Sequence, residues 1–149
     1  MAIGDLNKKF GWLWLLIGPL MGLYITSQFN SLGAAYAAAT KEVIIAGQNL
    51  TLYAGETGIR GANRLLHVHS ALLAFLNIVY GLSIDSVLLS DKTKRLGSIL
   101  AVAGAVLVTL GFYFLQVASL RELGFPFRVL GGTGVAVAIV ILAFGQFKK

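Results

Sequence analysis

The sequence predicts an all-α fold, a four-helix transmembrane bundle, on three observations. The chain has 149 residues, of which 57% are hydrophobic and only 12% charged, about half the charged share of a soluble domain. Its mean hydropathy is +0.81. Its charges bracket four long uncharged runs. A helix rises about 1.5 Å per residue, so roughly twenty apolar residues cover a hydrocarbon core about 30 Å thick.

The first run, Phe10 to about Gln28, follows Lys8 and Lys9 and meets no further charge before Lys41. It is longer than the apolar region of a signal peptide and is read as a retained helix. Leu65–Ile84 is the second run, closed by Arg64 and Asp85, and Leu96–Leu120 the third, closed by Arg95 and Arg121. The fourth, Val129–Phe147, lies between Arg128 and Lys148. Pro19 is expected to kink the first helix and Pro126 to end the third. Trp12 and Trp14 read as anchors at the membrane edge. Small residues recur at Gly18 and Gly22, at Ala101, Gly104 and Gly111, and at Gly131, Gly132 and Gly134, where helices in lipid approach closely.

The connections are unequal. Ser90 to Lys94 reads as a tight polar turn and Glu122 to Pro126 as a short one. The loop 30–63 is much longer. Within it Glu42–Ala46 and Leu50–Tyr53, separated by Gly47-Gln48-Asn49, read as a hairpin, and Ala34–Thr40 as a short helix. A loop of that length caps a site or touches a partner.

The net charge of +6 would suggest nucleic acid in a soluble protein. Here the basic residues mark helix ends, so no nucleic-acid partner is expected. With the N-terminus cytoplasmic, that side would hold Lys8, Lys9, Lys92, Lys94, Arg95, Lys148 and Lys149, against Lys41, Arg60, Arg64, Arg121 and Arg128 outside. The bias places both termini in the cytoplasm and the long loop outside a prokaryotic inner membrane. The chain has no Cys, which removes disulfides, thiolate iron–sulfur clusters and c-type haem attachment.

The two histidines, His67 and His69, stand at the start of the second helix. Residues two apart point about 200° apart around a helix axis, so the pair serves two sites better than one metal. A neutral pair hydrogen-bonded near the headgroups is the plain alternative. Ionisable groups in membrane spans are costly and usually functional. Among the other polar residues, Tyr24, Thr26, Gln28, Asn77, Tyr80, Tyr113 and Gln116 are expected mainly to bond helix to helix.

The segment Leu65-Leu66-His67-Val68-His69-Ser70-Ala71-Leu72-Leu73-Ala74-Phe75, with Tyr80-Gly81 after it, resembles the His-x-His helix of haem–copper oxidase and nitric oxide reductase catalytic subunits. It is still more similar to short four-helix membrane proteins related to them, with His-Ala-His-Leu-Asn-x-x-Gly-Trp at the corresponding place. Met21-Gly22-Leu23-Tyr24 also fits the short proteins. The resemblance covers about twenty residues. Ser70 and Ala71 replace Leu-Asn, and Ala74 and Phe75 replace Gly-Trp, which removes a polar contact and narrows the room for a flat ligand.

The resemblance implies one four-helix arc of the larger, three-arc subunits. It implies haem b, with His67 and His69 as axial ligands to haems shared between copies, and a homo-oligomer. A trimer would restore three arcs, and a dimer is the commonest symmetry. Arg64, one turn before His67, and Arg121 and Arg128 are the candidates for holding haem propionates. No further His is present for the second metal of an oxidase or reductase, so full oxidase or nitric oxide reductase turnover is not expected. The function expected is electron transfer with a redox partner, or binding of a diatomic gas such as O2, NO or CO. The alternative is a haem-free accessory or assembly subunit of a respiratory membrane complex. A channel or transporter has less support, because no charge lies inside any run.

Overall fold

The computed structural model describes residues 2–20, 23, 50–115 and 118–148. Among the described residues every regular element is helical. Helix α1 covers residues 5–20, α2 Leu50–Ser83, α3 Asp91–Phe114 and α4 Arg121–Phe147. Short 3₁₀ turns at Ile84–Ser86 and Ala118–Leu120 lead into the connections. Three stretches, Arg64–Ser86, Asp91–Phe114 and Arg121–Phe147, are long and apolar enough to cross a membrane.

Several expected boundaries are corrected. Helix α2 begins at Leu50, not Leu65, so the C-terminal part of the expected loop is helix and Leu50–Tyr53 is no hairpin strand. Glu42–Ala46, Ala34–Thr40 and the rest of that loop lie outside the described residues. Ser90 to Lys94 is not a turn but the start of α3. Ser90 is its N-cap, its hydroxyl accepting from Thr93 N at 3.3 Å, with Asp91 in the first turn. An N-cap followed by an acidic residue favours the helix start. The third helix stops at Phe114, and Pro126 lies inside α4 instead of ending α3. Pro126 is exposed and is the sixth residue of α4, one turn in, where it forgoes the bond an amide there would make to the Glu122 carbonyl.

Glycine geometry organises the α3–α4 pair. Gly97, Gly104 and Gly111 recur every seven residues on α3, and Gly124, Gly131, Ala138 and Gly145 do so on α4. The helices run antiparallel, with Gly104 facing Gly131 and Gly111 facing Gly124. A Cβ on Gly104 would lie 2.6 Å from the Gly131 carbonyl oxygen, and one on Gly131 2.6 Å from Val108 N. Backbone therefore packs on backbone. Such approach gives dispersion contacts where lipid supplies no hydrophobic drive.

Helix α2 packs antiparallel to α3, with Leu66 and Leu73 against Val108 and Phe112 at one end. At the other end Tyr80, Ile84 and Val87 meet Ala101 of α3 and Ala138 of α4. Helix α1 lies on the other flank of α2. A Cβ on Gly11 would be 2.6 Å from Ile78 Cγ1 and 2.7 Å from the Ala74 oxygen, and Gly4 is packed against Gly81. The N-terminus of α1, the α2–α3 connection and the C-terminus of α4 thus share one end. That end gathers Lys8, Lys9, Lys92, Lys94, Arg95 and Lys148.

Candidate functional site

The two histidines stand at the opposite end, where the apolar part of α2 begins. Ala74, Ile78 and Gly81, seven, eleven and fourteen residues after His67, form the face on which α1 packs. Helical periodicity places His67 on that flank. His69 lies on the other flank. Its ring centroid is 4.5 Å from that of Phe112 on α3, with the planes tilted by 41°. The expected opposition of the pair is what the helix produces.

Between the flanks, Leu65, Val68, Leu72, Phe75, Val79 and Leu82 form an exposed apolar stripe. Leu66, Ser70, Ala74 and Asn77 are buried on the other side. Each imidazole therefore sits at the border between packed core and outer surface, and both side chains are half-buried.

Their hydrogen bonding differs. His69 Nδ1 is 2.8 Å from the Leu65 carbonyl oxygen. A carbonyl only accepts, so Nδ1 carries the proton and the lone pair is on Nε2. This is the arrangement that second-shell bonds impose on a ligating histidine. His67 Nδ1 is buried and has no hydrogen-bond partner among the described residues. A polar nitrogen left so costs about 1–3 kcal/mol.

The three arginines are not equivalent. Arg128 is half-buried, donates from Nε to the Gly124 oxygen at 3.1 Å and places its guanidinium 5.2 Å from the Phe112 ring centroid. Phe112 thus touches both His69 and Arg128, a neighbourhood that sequence reasoning missed. Its signal was faint: Phe112 is one apolar residue among many, and only the antiparallel α2–α3 register brings it beside His69. Arg64 and Arg121 are exposed, and neither makes a contact with His67 or His69 among the described residues.

No group of three or more His, Asp or Glu side chains stands together to hold a metal among the described residues.

A second polar cluster was only partly foreseen. Asn77, expected to bond between helices, does so, its Oδ1 accepting from Asn7 Nδ2 at 2.9 Å. Asn7 precedes the expected start of the first helix and had drawn no attention. Asp85, which closes the second apolar run, is exposed but also accepts from Ile3 N at 3.0 Å and Gly4 N at 3.2 Å. It ties the start of α1 to the end of α2. Trp12 is exposed as a belt residue would be. Trp14 instead stacks on Phe10 at 4.9 Å, with its indole nitrogen buried. Tyr24, Thr26, Gln28 and Gln116 lie outside the described residues.

These features define a class, an all-α chain whose three longest apolar helices suit a bilayer. Comparison of the chain with family models, with curated proteins and with solved structures returns no match.

Proposed function

We propose that the chain is a b-type haem-binding membrane protein that transfers electrons or binds a diatomic gas. Haem is held at the flanks of α2, with His69 and His67 as axial ligands. The observation that carries this reading is the His69 side chain. Its Nδ1 proton is committed to the Leu65 oxygen at 2.8 Å, which leaves Nε2, the nitrogen haem iron takes, as the donor. Phe112 beside it offers a flat apolar wall, and Arg128 a cation within reach of that wall for a propionate. The bound group would supply the redox and gas-binding chemistry, while the chain fixes the tautomer and excludes water.

Because the imidazoles point apart, one chain presents each to a different haem. His69 of one copy and His67 of the next would complete a site, in a dimer or a trimer within a prokaryotic inner membrane, the lysine-rich end cytoplasmic. Purified in detergent with haem supplied, the protein is expected to show a Soret band stoichiometric with the chain. His69→Ala should abolish it, and His67→Ala should leave at most a five-coordinate spectrum. A wild-type protein that shows no Soret band after reconstitution would rule the reading out.

A haem-free accessory subunit is the second reading, and one observation favours it. Residues 50–63 extend α2 beyond its apolar part by about 20 Å at 1.5 Å per residue, an arm suited to a partner. In that case both histidine variants keep the oligomer, and the protein co-purifies with a larger complex.

A further inference from the structure

The junction of α1, α2 and α3 at the lysine-rich end holds a cluster of buried polar side chains that the haem reading does not use. Asn7 and Asn77 are 0% exposed, Tyr80 1% and Ser98 2%. Asn7 Nδ2 donates to Asn77 Oδ1 at 2.9 Å and to the Ser98 carbonyl at 3.2 Å. Two acceptors on that nitrogen settle the amide orientation. They leave Asn7 Oδ1 as an acceptor with no partner among the described residues, and Ser98 Oγ and Tyr80 Oη are likewise buried and unpaired there.

Tyr80 and Asn7 meet α3 at successive residues, Gly97 and Ser98. Tyr80 Oη presses on Gly97, so closely that a Cβ there would collide with it. Ser98 is the next residue, and its carbonyl holds Asn7. Buried polar atoms are nearly always paired, and an internal water typically takes about three such partners. Beside the cluster, Ser98 lines a cavity of about 280 Å³, together with Ala2, Ile3, Leu6, Arg95 and Ile99. That cavity lies at the lysine-rich end of the bundle.

We infer that Asn7 Oδ1, Tyr80 Oη and Ser98 Oγ bind an internal water, which exchanges with solvent through the cavity beside Ser98. Water donates a hydrogen to Asn7 Oδ1 and accepts from the Tyr80 and Ser98 hydroxyls, one on each lone pair. Every orphaned group is then satisfied. A metal cation fits less well. The buried polar side chains of the described residues, Asn7, Ser70, Asn77, Ser98 and Thr109, are all neutral, and an uncompensated charge at such a site is costly. The water makes the crossing of three helices a hydrated joint, fixing the depth at which α1 meets α2 and α3.

The test is water-edited solid-state NMR on the full-length, isotope-labelled protein in lipid bilayers. The Asn7 side-chain amide should gain signal from water severalfold faster than the buried Ala105 backbone amide and approach the rate of the exposed Gln146. In the Tyr80→Phe/Ser98→Ala double variant the gain should fall towards that of Ala105, with helix content checked by circular dichroism. If the double variant fails to fold, the wild-type comparison alone decides. A wild-type Asn7 as slow as Ala105 overturns the inference. So does a folded double variant with unchanged transfer, or an Asn7 shift that responds to sodium but not to choline.

Discussion

Helices α3 and α4 meet through glycines, whereas α1, which also brings Gly4 and Gly11 close to α2, adds buried amides that bond across to α2 and α3, and the contrast shows two solutions to one problem. In lipid, burying an apolar side chain gains little, because the surroundings are equally apolar. The α3–α4 seam therefore removes side chains altogether, and its carbonyls and Cα atoms pack directly at Gly104 and Gly131. The α1 junction keeps polar side chains and bonds the Asn7 amide nitrogen across helices, to Asn77 and to the Ser98 carbonyl. The first solution specifies distance and the second specifies partners.

The largest effect is expected at the glycine seam. Gly104→Leu would force a side chain into the Gly131 carbonyl, and the obstacle is backbone that cannot rotate away. Overpacking a core usually costs about 1–3 kcal/mol, and the upper end is expected here, read as a loss of resistance to denaturing detergent. Gly132→Leu is the internal control. A Cβ there meets nothing within 4 Å, so that variant should be indistinguishable from wild type. Equal damage from the two would show that the heptad seam is not what holds α3 to α4.

The polar junction should respond more mildly, and non-additively. Asn77→Leu strips Asn7 of its closest acceptor, and Asn7→Leu strips Asn77 Oδ1 of its donor. Each is expected to cost about 1–2 kcal/mol, since hydrogen bonds between membrane helices are individually modest. The double variant should cost less than the two together, because removing both partners leaves no orphan. A double-mutant cycle in bilayers measures this directly. Strict additivity would mean that each amide acts through its other contact, the Ser98 carbonyl for Asn7 or the Leu73 carbonyl for Asn77.

The two regions also differ in how far the sequence disclosed them. Helical class and the approximate course of the apolar runs follow from hydropathy, because a bilayer permits few alternatives. The small residues on α3 and α4 were visible, but their pairing needed the antiparallel register. Boundaries suffered where local chemistry was ambiguous. Ser90-Asp91 reads equally as turn or helix cap, and Leu50–Tyr53 alternates like a strand until α2 absorbs it. His67 and His69 stood out because they are the only histidines, and their opposition follows from helix periodicity alone. Phe112 beside His69, Asp85 beside Gly4 and Asn7 beside Asn77 were hidden, since each pairing depends on which helices become neighbours.

The smallest expected effect lies at the outer edge of the polar junction, where α1 begins. Asp5 pairs with Lys8 at 2.7 Å and also accepts from Ala2 N at 3.1 Å. The Lys8 hydrogen bond, foremost, holds the Asp5 carboxyl below its ordinary value of 3.8. The same bond raises the Lys8 ammonium above 10.5. A carboxyl depressed in the folded state stabilises it above the unfolded value, and that contribution fades as pH falls from 3.8 through the lower folded value. For the raised lysine the contribution is whole below 10.5 and fades as pH climbs past it. Both groups are solvent-exposed, where ion pairs add little, so the pair should register as a titration shift and hardly as stability. The Asp5 carboxyl resonance should titrate below 3.8 in the wild type and return towards it in Lys8→Met. If instead the midpoint does not move, the Asp5–Lys8 pair does not form in the bilayer, and the start of α1 is held by Asp85 and the buried amides without it.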